Sequence, residues 1–133
     1  MKILITGING FVGQHLAQYI LTQTDDKIFG LDFKKTELNL DNTISTRVLV
    51  YATDLLNADQ VIQTISAIQP DRIFHLAART SVPESYTNQP ATLMTNIFGT
   101  VNLLDAVRQA NLTQCRIIVS CSSDQYGKVA SEE

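Results

Sequence analysis

Short unbroken aliphatic runs alternate along this chain with stretches in which apolar residues recur every third or fourth position, a pattern that predicts buried strands separated by amphipathic helices. The first run, Lys2 to Ile5, opens into glycines at positions 7, 10 and 13 and then into a helical face. Val12, Leu16 and Ile20 repeat there every fourth residue, as do Ala17 and Leu21. A second strand, Lys27 to Leu31, ends at Asp32. Thr36 to Thr46 is polar and poorly periodic and reads as a loop or a short excursion, after which Arg47 to Tyr51 forms a third strand. Asn57 and Gln60 make a capping pair for a helix carrying Val61, Ile62, Ile65 and Ile68, which must stop before Pro70. Arg72 to Leu76 is a fourth strand. Pro90 suits a helical first turn, and Leu93, Ile97, Val101 and Leu104 mark one face of a single long helix reaching about Ala110. Arg116 to Val119 is the fifth strand.

The turn after the first strand carries the chemistry. Glycines at a strand end let the backbone turn sharply and approach a pyrophosphate, which rests on the N-terminus of the helix that follows. The spacing Gly7-x-x-Gly10-x-x-Gly13 departs by one residue from the G-x-G-x-x-G fingerprint, and the alternative is a tight strand-to-helix turn without a ligand. The second strand strengthens the dinucleotide reading, because Asp32 lies roughly 20 residues past the glycines, where a carboxylate accepts both ribose hydroxyls and repels a 2′-phosphate. Asp32 therefore favours NAD over NADP, against the pull of Lys34 and Lys35, which could pair with a phosphate. A solvated loop carboxylate is the competing reading of Asp32. The whole pattern predicts an α/β fold: a Rossmann-type parallel sheet with right-handed crossovers, helices on both faces and strand order 3-2-1-4-5.

In such sheets ligands bind beyond the carboxyl ends of the strands. The third strand leads to Asp54-Leu55, which could meet an adenine edge or simply cap the loop. The fourth ends in His75-Leu76-Ala77-Ala78, where small residues let backbone lie against a cofactor or let strand and helix pack closely. The fifth ends in Ser120-Cys121-Ser122-Ser123-Asp124-Gln125-Tyr126-Gly127, hydroxyls and a carboxylate gathered where a nicotinamide would lie; a polar turn would look similar.

Composition narrows the class. The 133 residues suffice for one domain with a real core, and the formal charge of −3 comes with no Lys/Arg cluster, which argues against a nucleic-acid partner. No apolar run approaches the roughly 18 residues of a membrane span, and the N-terminus reads as a core strand rather than a signal peptide, so no membrane association and a cytoplasmic location are expected. Cys115 and Cys121 belong to one predicted strand, about 20 Å apart and beyond disulfide reach, and read as reduced thiols. No Cys/His group has metal-ligand spacing; His15 and His75 are isolated and read as packing residues, and no metal is expected.

Four segments, TGINGFVG at Thr6 to Gly13, HLAA at His75 to Ala78, TNIFGTVNLLDAV at Thr95 to Val107 and SSDQYG at Ser122 to Gly127, together resemble the extended short-chain dehydrogenase/reductases that act on nucleotide sugars. The stretch Ser81 to Thr100 is most similar to the branch containing GDP-mannose 4,6-dehydratases and GDP-6-deoxy-4-keto-mannose reductases. The resemblance implies NAD(P)-dependent oxidoreduction at the sugar C4, within an epimerase, dehydratase or reductase cycle. It assigns Gly7, Gly10, Phe11 and Gly13 to the pyrophosphate turn, Asp32 to the adenosine ribose, Asp54 and Leu55 to the adenine, and Leu76, Ala77 and Ala78 to the middle of the cofactor. Asn96 matches a mainly architectural position beside the cofactor, and Arg79, Ser81 and Ser123 fall on the substrate side. Ser122 matches the catalytic Ser/Thr, whose hydroxyl bonds the sugar C4 oxygen as hydride moves. Dehydratases of the family carry Glu where this chain has Asp124, and the shorter side chain tilts the expectation toward a reductase or epimerase. A GDP-sugar substrate and, through the helix around Leu93 to Val107, a homodimer of the full-length protein are further implications.

Such enzymes also carry Tyr-x-x-x-Lys on a later helix, where the Tyr is acid/base and the Lys lowers its pKa. The positions four after Tyr19, Tyr51, Tyr86 and Tyr126 are Gln23, Leu55, Pro90 and Ala130. Residues 1–133 are therefore expected to be the N-terminal, NAD-binding portion of a longer enzyme, with the rest of the dinucleotide domain and the substrate domain elsewhere, and to be inactive alone. A non-catalytic dinucleotide sensor or interaction module is the competing class. The Ser122 to Gly127 segment discriminates, since a sensor needs the glycine turn but no hydroxyl and carboxylate beside a nicotinamide.

Overall fold

A computed structural model describes residues 1–34, 46–122 and 126–127. Strands β1 (Lys2–Thr6), β2 (Lys27–Asp32), β3 (Val48–Ala52), β4 (Arg72–His75) and β5 (Arg116–Val119) form one parallel sheet in the order β3-β2-β1-β4-β5, as the alternation predicts. Between them lie α1 (Phe11–Gln23), α2 (Ala58–Ile68), the short α3 (Val82–Thr87) and α4 (Gln89–Leu93), a π-helical turn (Met94–Phe98) and α5 (Gly99–Gln109).

Alternate side chains of each strand feed opposite faces, so the central strands build two cores. Ile3, Ile5 and Ile28 meet Ala17, Ile20 and Leu21 of α1 on one face, while Leu4, Phe29, Leu31 and Ile73 meet the buried faces of α2 and α5 on the other. The Asn57 cap is as read, its carboxamide oxygen accepting from the Gln60 amide at 3.1 Å; the Gln60 side chain instead takes the Asp54 amide. Gln69, at φ 52°, ends α2 in the left-handed conformation one residue before Pro70.

Two sequence expectations are corrected. The single helix from Pro90 to Ala110 is three pieces, preceded by a helix, Val82–Thr87, that the periodicity did not reveal. The spacing marks one apolar face without assigning it to the core. Leu103, Ala106 and Val107 enter the core, whereas Leu93, Ile97, Val101 and Leu104 are all exposed. Spacing identifies a stripe but not which of two apolar stripes faces the sheet, and the π-turn adds a residue that rotates the upstream part against the downstream part. Strand ends shift by one residue: Leu76 lies beyond β4 and Arg47 precedes β3, donating to the carbonyls of Leu21 and Thr24 at the end of α1.

Candidate functional site

The carboxyl ends of the strands open onto two adjoining hollows. The first, about 840 Å³, is lined by the turn after β1 (Gly7, Gly10, Phe11 and Gly13), by Asp32, by Asp54 and Leu55, and by the segment after β4. The second, about 730 Å³, is lined by that same segment from its other side, by Asn96 and by Ser120 to Ser122 after β5. Leu76 to Thr80 is thus the wall between them.

The turn after β1 is held by backbone. Gly7, at φ 70°, donates to the Leu31 carbonyl at 2.8 Å, and Gly10 donates to the Gly7 carbonyl at 3.0 Å. A Cβ on Gly7 would stand 2.9 Å from the backbone of Ala77, so only glycine lets this turn lie against the dividing wall. Gly10 is the N-cap of α1 and supplies no side-chain cap, and no acidic residue occupies the first turn. The open amides and the positive end of the helix therefore face the hollow, a surface suited to an anion.

Asp32 sits at the tip of β2 with each carboxylate oxygen engaged once. Oδ2 accepts from the Asn9 amide at 3.1 Å and Oδ1 from the Phe33 amide at 2.8 Å, which fixes the carboxylate at the edge of the hollow and leaves each oxygen capacity to accept again. Asn9 carries no signal in the sequence beyond its place among the glycines, yet its side chain donates to the Lys34 carbonyl at 2.8 Å and ties the two turns together. Asp54 forms a local turn by accepting from Leu56 at 2.9 Å, and Asn102 of α5 holds the neighbouring Leu55 carbonyl at 2.8 Å.

The substrate-side expectations spread out. Arg79 lines both hollows and pairs with Glu84 at 3.3 Å. Ser81 lines neither; its hydroxyl caps α3 by accepting from Glu84. Asn96 spends both ends of its carboxamide on one residue, accepting from the Arg79 amide at 2.8 Å and donating to the Arg79 carbonyl at 3.1 Å. Ser122 lines the second hollow, while Ser123, Asp124 and Lys35 lie outside the described residues. His75 is buried at the end of β4, hydrogen-bonded to Thr6 and Thr100, and burial lowers its pKa from 6.5. Both cysteines are free, Cys121 in the second hollow and Cys115 ahead of β5 with its thiol pKa raised by burial and by Asp71. Among the described residues no His, Cys, Asp or Glu group could hold a metal ion, and no helix is long and apolar enough to cross a membrane.

The family model for GDP-mannose 4,6 dehydratase matches residues 4–133. The chain belongs to that family. It is 37% identical over 131 residues to a CDP-paratose 2-epimerase of Salmonella typhi, covering 96% of this chain and 38% of the relative. It is 36% identical over 113 residues to dTDP-glucose 4,6-dehydratase 1 of Escherichia coli K12, covering 81% of this chain and 31% of the relative. The UDP-glucose 4-epimerase of Thermus thermophilus, solved as a complex with NAD, superposes with a TM-score of 0.73 at 27% identity, over 84% of this chain and 35% of the other. The chain thus spans about a third of the length of these relatives, and the superposition places its sheet within the fold of a UDP-glucose 4-epimerase.

Proposed function

We propose that this chain is the dinucleotide-binding portion of an NAD-dependent nucleotide-sugar oxidoreductase. One observation carries the reading: a single hollow collects Asp54-Leu55, Asp32, the glycine turn and Leu76 to Ala78, from four adjacent strand ends taken across the sheet from β3 to β4, which is the order of adenine, ribose, pyrophosphate and middle along a dinucleotide. The fit has three parts. Gly7 lies too close to Ala77 for any Cβ, the first turn of α1 offers unshielded amides to a pyrophosphate, and the oriented Asp32 carboxylate retains acceptor capacity for ribose hydroxyls. When bound, the nicotinamide supplies a hydride acceptor and donor.

The protein's own contribution is to bind and orient. Leu76, Ala77 and Ala78 form the wall between cofactor and sugar, and Ser122 across the second hollow donates its hydroxyl to a sugar oxygen, lowering the cost of charge there. Arg79 reaches both hollows and is suited to a substrate phosphate, a role for which it would leave its exposed Glu84 partner at little cost. The named relatives act through 2-epimerisation, 4-epimerisation and 4,6-dehydration on CDP-, UDP- and dTDP-sugars. Beside them we assign this chain a GDP-sugar and C4 chemistry, on the family model and the Ser81 to Thr100 stretch, and reductase or epimerase over dehydratase, on Asp124. The exposed stripe Leu93, Ile97, Val101 and Leu104 supports a homodimer of the full-length protein.

Calorimetric titration of the chain tests the cofactor. NAD should bind more tightly than NADP, and Asp32→Asn, which keeps one acceptor oxygen but loses the charge, should weaken NAD by about tenfold and narrow the gap, from the usual worth of a hydrogen bond to a charged group. Tighter binding of NADP would mean that Lys34 outweighs Asp32. Residues 1–133 are further expected to form no NADH from any nucleotide sugar, since no Tyr here is followed four positions later by Lys. An acid/base pair contributes typically about 10² to 10⁴ in rate, so NADH above that of a Ser122→Ala control would refute these assignments.

A further inference from the structure

Four side chains close a ring between the two ends of the dividing wall. The Ala77 amide donates to Thr6 Oγ1 at 3.2 Å, Thr6 Oγ1 lies 2.7 Å from His75 Nδ1, and His75 Nε2 lies 2.9 Å from Thr100 Oγ1. Thr100 Oγ1 in turn donates to the Asn96 carbonyl at 2.8 Å, and the Asn96 carboxamide holds both backbone groups of Arg79. The proton order follows from the two ends. Thr100 gives its single hydroxyl proton to a carbonyl, so toward His75 it can only accept, and Nε2 must carry hydrogen. Thr6 already accepts the Ala77 amide, so it is matched when it donates to a bare Nδ1. The imidazole that satisfies every partner is neutral, with its hydrogen on Nε2. Burial acts in the same direction, and both side chains bonded to the ring, Thr6 from β1 and Thr100 from α5, are uncharged hydroxyls.

We propose that His75, as the Nε2–H tautomer, is a positioning residue for both hollows: it orders a one-directional hydrogen-bond chain from Ala77 to Asn96 that clamps the wall between them. The wall touches the glycine turn on one side and faces Ser122 on the other, so its placement sets the space for cofactor and substrate together. The Met94–Phe98 π-turn is part of the device, since it carries Asn96 and leads into Thr100. In its consequence for binding the proposal rests on the dinucleotide reading above; in its consequence for the wall it does not.

The test has two arms. Nitrogen-15 spectra of the histidine side chains at neutral pH should show, for His75, a protonated Nε2 and an unprotonated Nδ1, and the opposite tautomer or an averaged ring would overturn the proposal without any substitution. Thr100→Val removes the acceptor while keeping the shape. It should speed hydrogen exchange of the Ala77 and Arg79 amides by about tenfold relative to Leu4 and Ile65 in the core, and weaken NAD by a similar factor, the usual worth of one buried hydrogen bond. Thr100→Ser should restore both. Unchanged exchange in the Val variant, or no rescue by Ser, refutes the clamp, and if Thr100→Val does not fold the tautomer measurement still decides. A native chain that shows the tautomer and the exchange pattern but binds no NAD leaves the clamp standing and removes the dinucleotide reading instead.

Discussion

Gly10→Val is expected to abolish NAD binding by this chain while moving its thermal midpoint by only a few degrees. Gly10 adopts φ −72° and ψ 165°, an extended conformation open to any residue, and a Cβ there would meet only the Gly7 carbonyl, at 3.2 Å. The residue is exposed and caps α1 without a side chain, so the stability cost is that of a poor N-cap, about 1 kcal/mol. The binding cost is of another order. The isopropyl group would stand over the open amides of the first turn, in the space proposed for the pyrophosphate, and would exclude the anion from it. Calorimetry and a thermal melt on the same preparation separate the two quantities. NAD affinity within about tenfold of the native chain would move the pyrophosphate away from this turn.

The parallel sheet and its order were legible because each strand is a short apolar run and three of the four crossovers show a helical repeat, and the central strands do feed both cores. The residues of the first hollow were legible for a related reason: in a parallel sheet every strand end points to the same rim, so naming the ends names the lining. What could not be read was orientation. Leu93, Ile97, Val101 and Leu104 have ideal spacing and yet are exposed, because the choice between two apolar stripes is made by the sheet and by a π-turn with no sequence signature. The polar ring was equally hidden. His75 reads as an isolated packing residue, and its partners lie 69 positions before it and 25 after it; only the register of β1 against β4 and the placement of α5 bring Thr6 and Thr100 to the two ring nitrogens. Ser81 illustrates the opposite error of emphasis, since a hydroxyl three residues before an acidic side chain is a helix cap on local grounds, and that is how its side chain is used.

Gly13→Ala should act on the fold, in the direction opposite to helix propensity. Gly13 is the third residue of α1, where alanine would ordinarily stabilise a helix by about 1 kcal/mol over glycine. Here a Cβ would stand 2.4 Å from the Gly7 carbonyl oxygen, 2.7 Å from Ile8 Cα and 2.9 Å from the Ile8 carbonyl oxygen. All three are backbone atoms of the turn, so no rotamer change can relieve the contact, and either α1 moves off the sheet or the turn opens. Moving α1 would loosen Ala17, Ile20 and Leu21 from the core over Ile3, Ile5 and Ile28. Overpacking of this kind costs typically about 1–3 kcal/mol and more where backbone must shift, against a total stability of about 5–15 kcal/mol for a domain. Urea unfolding should therefore give a midpoint well below that of the native chain with an unchanged slope, and NAD binding should fall only as far as the turn is displaced. The pair of glycines then separates two demands on one motif, Gly10 leaving room for the ligand and Gly13 for the helix. A Gly13→Ala chain as stable as the native one, or more stable, would show that α1 does not pack on the turn this closely.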